Sequence, residues 1–281
     1  MTRENHSSQL SGWILRARKL RWMNSLKKFI PQPWRQRAWQ IALSQSHHEV
    51  LGSRMFIPAE ARNRDLLLGE YEPAVAKRIR AVLRPGMTFC DVGANMGVFT
   101  LFAAKLVGAA GRVVAFEPIP DNAQVLRTNI ALNGRTNVLL LEKAIAEKSG
   151  RAEIHLSSLC GCHSLLARPD APAGRSLFVE TIRLDEIEGL ERMDLLKIDA
   201  EGAEVSVLRS LGARRPSQII LEYNAERLRA AGCTGAQFLD VLHGLGYAEI
   251  EDLENPGSDL ERIARGDIDA SNLIATFREG A

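Results

Sequence analysis

The run Asp91-Val92-Gly93-Ala94-Asn95-Met96-Gly97 follows a short apolar stretch and opens a helical one. Gly93 permits a tight turn with positive φ, and Gly97 lets the start of a helix approach a ligand closely. The spacing is G-x-x-x-G, not G-x-G-x-x-G. The middle glycine that admits a pyrophosphate is therefore missing. Glu117 closes the next apolar stretch, 24 residues after Gly93. An acid at about that separation can hydrogen-bond both hydroxyls of a ribose. A ribose without a pyrophosphate points to S-adenosylmethionine. Asp91, at the other end of the loop, is placed to reach the amino group on the sulfonium side, directly or through water. Taken singly, each feature has a plainer explanation: a glycine turn, and a surface carboxylate at a strand end.

A second constellation is acidic. Lys197-Ile198-Asp199-Ala200-Glu201-Gly202 closes one apolar stretch, and Glu222-Tyr223-Asn224 closes the next. An acid ending a buried strand needs a partner or a ligand, so Asp199 is the candidate general base or acceptor-orienting group. Glu201 and Glu222 are candidates for holding hydroxyls of the acceptor. Glu201 also fits as an N-terminal helix acid, favoured by the dipole, and Glu204 fits as that alone. Methyl transfer from a sulfonium needs mainly alignment of the acceptor with the methyl carbon, worth on the order of 7–11 kcal/mol. A general base adds roughly 10²–10⁴-fold. As an alternative, Asp199, Glu222 and Asn224 are hard oxygen ligands able to hold Mg²⁺, although no stricter ligand pattern is visible and no metal is assigned. Cys160-Gly161-Cys162-His163 offers two thiols and an imidazole, which leaves a zinc ion one ligand short. It reads as a loop at the mouth of the site, with His163 a candidate contact to the acceptor.

These residues sit at the ends of alternating elements. The periodicity predicts strands at 87–92, 112–117, 138–141, 194–198, 218–222, 247–250 and 273–277. Helices are expected at 71–83, 97–107, 120–132, 203–211 and 236–245, and an inserted hairpin at 152–156 with 178–184. Asn133-Gly134 is a helix C-cap signal. Strands alternating with helices imply βαβ units and a parallel sheet. Ligands of such sheets bind outside the carboxyl ends of the strands, where the glycine loop and the acids fall. One Rossmann-like domain is expected over 60–281, preceded by a basic helical extension over 1–59.

The runs FCDVGANMGVFTLFAA, VVAFEPIPDNAQVLRTNIALNG, LLKIDAEGAEVSVLRSL and IILEYNAERL resemble the FkbM family of class I methyltransferases. Matching pieces extend from Met87 to Phe277, about two thirds of the chain. The resemblance implies a class I methyltransferase fold: a seven-stranded, mostly parallel sheet with an antiparallel last strand. It implies O-methylation with S-adenosylmethionine, the acceptor being a hydroxyl of a sugar, glycolipid or secondary metabolite. Carried over by position, it assigns Asp91, Gly93, Ala94, Asn95 and Gly97 to the methionine end of the cofactor. Glu117 would bind the ribose, and Ala144 would lie near the adenine. The first 60 residues are not covered, and the acceptor is not fixed.

Composition bounds the alternatives. The chain has 281 residues, 46% hydrophobic and 25% charged, with a net charge of +2. That is ordinary globular usage, and a whole-chain charge so small gives no case for bulk nucleic-acid binding; no DNA partner is expected. No apolar run is long enough for a transmembrane helix, and no secretory signal is expected. Cys90, Cys160, Cys162 and Cys233 are too few for a disulfide framework, so a reducing, cytoplasmic setting is expected. Charge is uneven, however: residues 1–50 carry +7 and the remaining 231 carry −5. Trp22, Met23, Leu26, Phe29 and Ile30 recur at helical spacing around Lys27 and Lys28, before Pro31 and Pro33. Such a helix can pack on the main domain, or lie peripherally on an anionic membrane. Two further readings follow: an RNA methyltransferase using the basic segment as its arm, disfavoured by the near-neutral remainder, and a non-catalytic nucleoside-sensing module that binds a membrane surface or a partner.

Overall fold

The computed structural model describes residues 47–58, 61, 66, 69, 71–155 and 176–278. The basic helix expected near residues 22–30 and the Cys160-Gly161-Cys162-His163 run lie outside the described residues. The chain divides into two compact units, with the boundary between Tyr71 and Glu72.

In the first unit, β1 (His47–Val50) and β2 (Ser53–Phe56) form an antiparallel hairpin with His47 opposite Phe56. Its two-residue turn has positive φ at both Leu51 and Gly52 (48° and 77°), which matches the right-handed strand twist. The regular structure in the described part of residues 1–59 is this hairpin. His48 is buried within β1.

The second unit is built on a seven-stranded sheet. Its strands are β3 (Thr88–Val92), β4 (Arg112–Phe116), β5 (Val138–Leu141), β9 (Leu195–Ile198), β10 (Gln218–Asn224), β11 (Glu249–Asp252) and β12 (Ala270–Thr276). They lie in the order β11-β12-β10-β9-β3-β4-β5. β12 runs antiparallel to both its neighbours, while β10, β9, β3, β4 and β5 pair in parallel. This is the Rossmann-like arrangement expected, antiparallel last strand included. β3 and β9 are mostly apolar, each broken by one charged residue (Asp91, Lys197), because helices cover both faces of a parallel sheet. All four residues of β9 are buried.

The sheet is wound by α1 (Pro73–Val82), α2 (Val98–Val107), α3 (Pro120–Leu132), α4 (Glu204–Arg209), α5 (Ala225–Ala230), α6 (Gly235–Gly244) and α7 (Glu261–Arg265). α3 ends as expected: Gly134 sits at φ 58° just past the cap residue Asn133. α2 buries eight of its ten residues, so its apolar surface is a large stabilising contribution, at roughly 1.5–3 kcal/mol for each large side chain. Cys90 is fully buried and burial pushes its thiol well above the usual range, as suits a cysteine acting as a small hydrophobe.

Between β5 and β9 the chain inserts a second sheet, β6 (Ala144–Ile145), β7 (Gly150–His155) and β8 (Ser176–Ile182), in the order β6-β8-β7. β7 and β8 are the hairpin anticipated from the alternation; β6 had no sequence signal. Among the described residues no helix is long and apolar enough to cross a membrane.

Candidate active site

From β3 the chain proceeds outward through β4 to β5, and then returns to β9 on the other side of β3. The crevice between the carboxyl ends of β3 and β9 is therefore a topological switch point, where such sheets bind ligands. The glycine loop lies there. Gly93 has φ +80°, and a Cβ on it would stand 1.9 Å from the Asp199 carbonyl oxygen, so the crossing of the two loops admits only glycine. The Gly93 and Ala94 N–H groups both donate to the Phe116 carbonyl (3.0 and 2.9 Å). Asn95 is itself left-handed, with φ 50°. Fully buried Asn129 of α3 donates its Nδ2 to the Met96 carbonyl at 2.9 Å. The loop is thus pinned from β4, β9 and α3.

Glu117, just past β4, is 4% exposed. Its Oε2 accepts the Asn95 N–H at 2.7 Å, and its Oε1 accepts the Ile119 N–H at 3.0 Å and Asn122 Nδ2 at 3.4 Å. Burial outweighs these bonds and pushes its pKa up to about 7. Gly93, Asn95, Glu117, Asn122 and Ala144 line one cleft with Asp199 and Glu201, about 650 Å³ counting its open mouth. Ile119, Ile145 and Ile154 supply an apolar wall near Ala144.

Three residues assigned to the cofactor lie elsewhere. Asp91 is 1% exposed and does not line the cleft. It faces the same side of the sheet as Lys197, its register partner on β9, and its Oδ2 accepts the Thr100 hydroxyl at 2.6 Å. Burial raises its pKa, against Lys197 and Thr100. Strand alternation turns Asp91 beneath the loop, where its Oδ1 is buried with no hydrogen-bond partner among the described residues. Ala94 packs its methyl against Ala115 and Leu126. Gly97 caps α2 at φ 92°, and a Cβ there would meet Leu126 Cδ1 at 2.2 Å. Both glycine and alanine shape the loop from within.

On the other flank, Lys197 Nζ stands 3.0 Å from Asp199 Oδ2 and 5.1 Å from the centroid of the Phe99 ring. Burial opposes the lysine's charge, but Asp199 and then Asp91 outweigh it and hold the pKa above the ordinary lysine value. Asp199 remains 29% exposed at the cleft. Glu201, at φ 52°, pairs its Oε2 with Arg227 Nη2 at 2.5 Å. Glu222 Oε2 pairs with Arg227 Nη1, also at 2.5 Å. Burial, then the neighbouring Asp199, raise Glu201 to about 8 and Glu222 to about 7, with Arg227 acting in the opposite direction. Glu222 does not line the cleft itself.

Glu204 is the helix acid expected: its Oε1 accepts the Ala200 and Gly202 N–H groups, both at 3.1 Å. Asn224 caps α5, accepting the Arg227 N–H at 3.1 Å. With Asn224 serving the backbone and Glu222 the guanidinium, the Mg²⁺ alternative loses two of its three ligands. Among the described residues no group of three His, Cys, Asp or Glu could hold a metal.

Sequence reasoning assigned no role to Lys197, Arg227, Thr100 or Asn122. Lys197 had a signal, since two residues apart on a strand it shares a face with Asp199. Arg227 had only its place five residues after Glu222.

The family model described as "Methyltransferase FkbM domain" matches residues 91–248. The chain is 30% identical over 153 residues to the methyltransferase sdnD of Sordaria araneosa, covering 43% of this chain and 59% of that one. It is 30% identical over 215 residues to the AMB antimetabolite synthetase AmbE of Pseudomonas aeruginosa, covering 62% of this chain and 10% of that one. A solved SAM-dependent O-methyltransferase from Thermotoga maritima aligns at 14% identity and a TM-score of 0.45, over 74% of this chain and 67% of that one. The chain thus spans about three fifths of sdnD and a tenth of AmbE.

Proposed function

We propose, from the premise that this chain belongs to the FkbM methyltransferase family, that it methylates a hydroxyl of a sugar, glycolipid or secondary metabolite. S-adenosylmethionine is the cofactor that comes with the family, and the residues present fit it. Gly93 has no room for a Cβ. Asn95 Oδ1 is buried with no hydrogen-bond partner among the described residues. A carboxylate waits where a ribose needs one, and no glycine is provided for a pyrophosphate.

The observation that carries this reading is that Gly93, Glu117 and Ala144 open into the same cleft as Asp199. On this reading Glu117 accepts the ribose hydroxyls, Gly93 and Asn95 flank the methionine end, and Ala144 with the isoleucines covers the adenine. Asp91 supports the loop from beneath, and Ala94 and Gly97 set its shape. When bound, the cofactor supplies a methyl group on a positively charged sulfur, already activated for transfer. What remains for the protein is alignment and proton removal. Asp199 orients the acceptor hydroxyl and takes its proton, with buried Lys197 holding the carboxylate in place. Glu201, raised to about 8, and Glu222, raised to about 7, can each donate as well as accept a hydrogen bond near neutral pH. That suits an acceptor bearing several hydroxyls, which are donors and acceptors at once.

Incubation with isotopically labelled S-adenosylmethionine and a fractionated cell lysate, followed by mass spectrometry, tests this. The expected product carries the label as an O-methyl group on a small hydroxylated molecule or glycan. Label on nitrogen, on carbon or on RNA contradicts the proposal.

A further inference from the structure

We infer that Arg227 is the positioning residue of the acceptor side: its guanidinium clamps Glu201 and Glu222 together, so acceptor engagement depends on it while cofactor binding does not. This rests on the methyltransferase reading above.

The geometry is a fork. Nη2 reaches Glu201 and Nη1 reaches Glu222, each at 2.5 Å. The two glutamates come from different elements, one from the loop after β9 and one from within β10. The arginine comes from a third, α5, where Asn224 caps the backbone at Arg227 itself. All three side chains are largely withdrawn from water, at 15%, 27% and 18% exposure for Glu201, Glu222 and Arg227. Planar guanidinium suits such double pairing, and an ammonium does not.

The clamp has two opponents. Glu201 holds a left-handed backbone conformation, which is strained for a non-glycine residue and persists only where the surroundings enforce it. Glu204 enforces the loop from inside, through Ala200 and Gly202. Arg227 enforces it from outside, through the Glu201 side chain. The second opponent is charge. Asp199, Glu201, Glu204 and Glu222 all bear on this corner, against Lys197 and Arg227. Lys197 is engaged with Asp199. Without Arg227 the two glutamates lose the cation that sits between them. The cofactor side shares none of these bonds: the Gly93 N–H donates to the Phe116 carbonyl, and Glu117 accepts the Asn95 and Ile119 N–H groups.

Full-length Arg227→Met and Arg227→Lys test the role with three readouts: carboxylate titration of ¹³C-labelled glutamates by NMR, calorimetric binding of S-adenosylhomocysteine, and label transfer at graded amounts of the acceptor-containing lysate fraction. In Arg227→Met the Glu201 midpoint is expected to rise by about one pH unit or more, the loss of an opposite charge at contact distance. Half-saturation in the acceptor fraction is expected to rise at least tenfold, about 1.4 kcal/mol, with S-adenosylhomocysteine affinity within about twofold of wild type. Arg227→Lys is expected to restore the midpoint and only part of the acceptor saturation. Should Arg227→Met not fold, the lysine variant decides alone: unchanged acceptor saturation overturns the inference. It is also overturned if Arg227→Met moves neither titration nor saturation, or if cofactor affinity falls in step with transfer. Wild type that binds no S-adenosylhomocysteine overturns the functional reading and this inference with it.

Discussion

Lowering the pH from about 8 to about 5.5 should strip the cleft of its affinity for S-adenosylhomocysteine, and Glu117 should be the reason. Glu117 is 4% exposed and its pKa lies near 7, against an ordinary 4.5, because burial outweighs the two backbone N–H groups it accepts. A ribose donates two hydroxyl protons to an ionised carboxylate. Protonated Glu117 must give up one acceptor position, so binding draws on the ionised fraction. At about pH 8 that fraction is about nine tenths; at about pH 5.5 it is about 3%, so affinity falls about 30-fold, or about 2 kcal/mol. Glu117→Gln removes the titration. Its amide keeps one acceptor and presents a donor toward the Asn95 N–H or the ribose. The loss of a charged hydrogen bond, about 1.5–3 kcal/mol, makes the variant roughly 10- to 150-fold weaker at about pH 8. Below about pH 6 the two proteins should converge. Isothermal titration calorimetry at both pH values, with circular dichroism to confirm folding, reads this directly. A wild-type affinity independent of pH, or a glutamine variant with the wild-type dependence, refutes the assignment of Glu117 to the ribose.

Other perturbations have equally definite outcomes. Gly93→Ala drives a Cβ to 1.9 Å from the Asp199 carbonyl at φ +80°; strain and overpacking together are expected to cost about 3 kcal/mol or more, read as a lower Tm with loss of S-adenosylhomocysteine binding. Lys197→Met removes the cation between Asp91 and Asp199, and breaking a buried pair in this way costs about 3–5 kcal/mol. Combining it with Asp199→Asn should restore part of that loss in a double-mutant cycle; strict additivity contradicts the pairing. Finally, Glu117, Glu201 and Glu222 all have folded-state pKa values raised above 4.5, to about 7, 8 and 7. The folded state then binds more protons than the unfolded chain between these limits. Their contribution to stability is complete below about pH 4.5 and is lost as pH rises through 7–8. The denaturant midpoint of the ligand-free protein should fall between about pH 6 and pH 9, and less so in Glu201→Gln.

The parallel strands were legible because burial on both faces leaves mostly apolar runs such as VVAF, broken only by single charged residues such as Lys197 in LLKI and Glu222 in IILE. Asn133-Gly134 likewise marked the end of α3 by its own backbone chemistry. The hairpin at 47–56 was not legible: Leu51 occupies a positive-φ turn position where asparagine or glycine is usual, and HHEV carries no strand propensity to offset it. α5 and α7, at six and five residues, are too short for a helical period to register. The loop glycines and the strand-end acids could be placed because each lies next to an element boundary in the sequence. Side-chain direction could not. Asp91 and Ala94 belong to the loop by number, yet one turns beneath it and the other into the Leu126 cluster. Arg227 was invisible because its two partners lie on other elements, and the folding of β10 into α5 brings it to them.

The central claim is that the cleft at the carboxyl ends of β9, β3 and β4 holds an adenosyl cofactor with its reacting end toward Asp199. A crystal structure of the full chain with S-adenosylhomocysteine tests it most directly. The expected complex has both ribose hydroxyls bonded to Glu117, the adenine against Ala144, and the sulfur over the Gly93 loop on the Asp199 side. A nucleoside bound outside this cleft, or one whose ribose lies beyond hydrogen-bond reach of Glu117, contradicts the account.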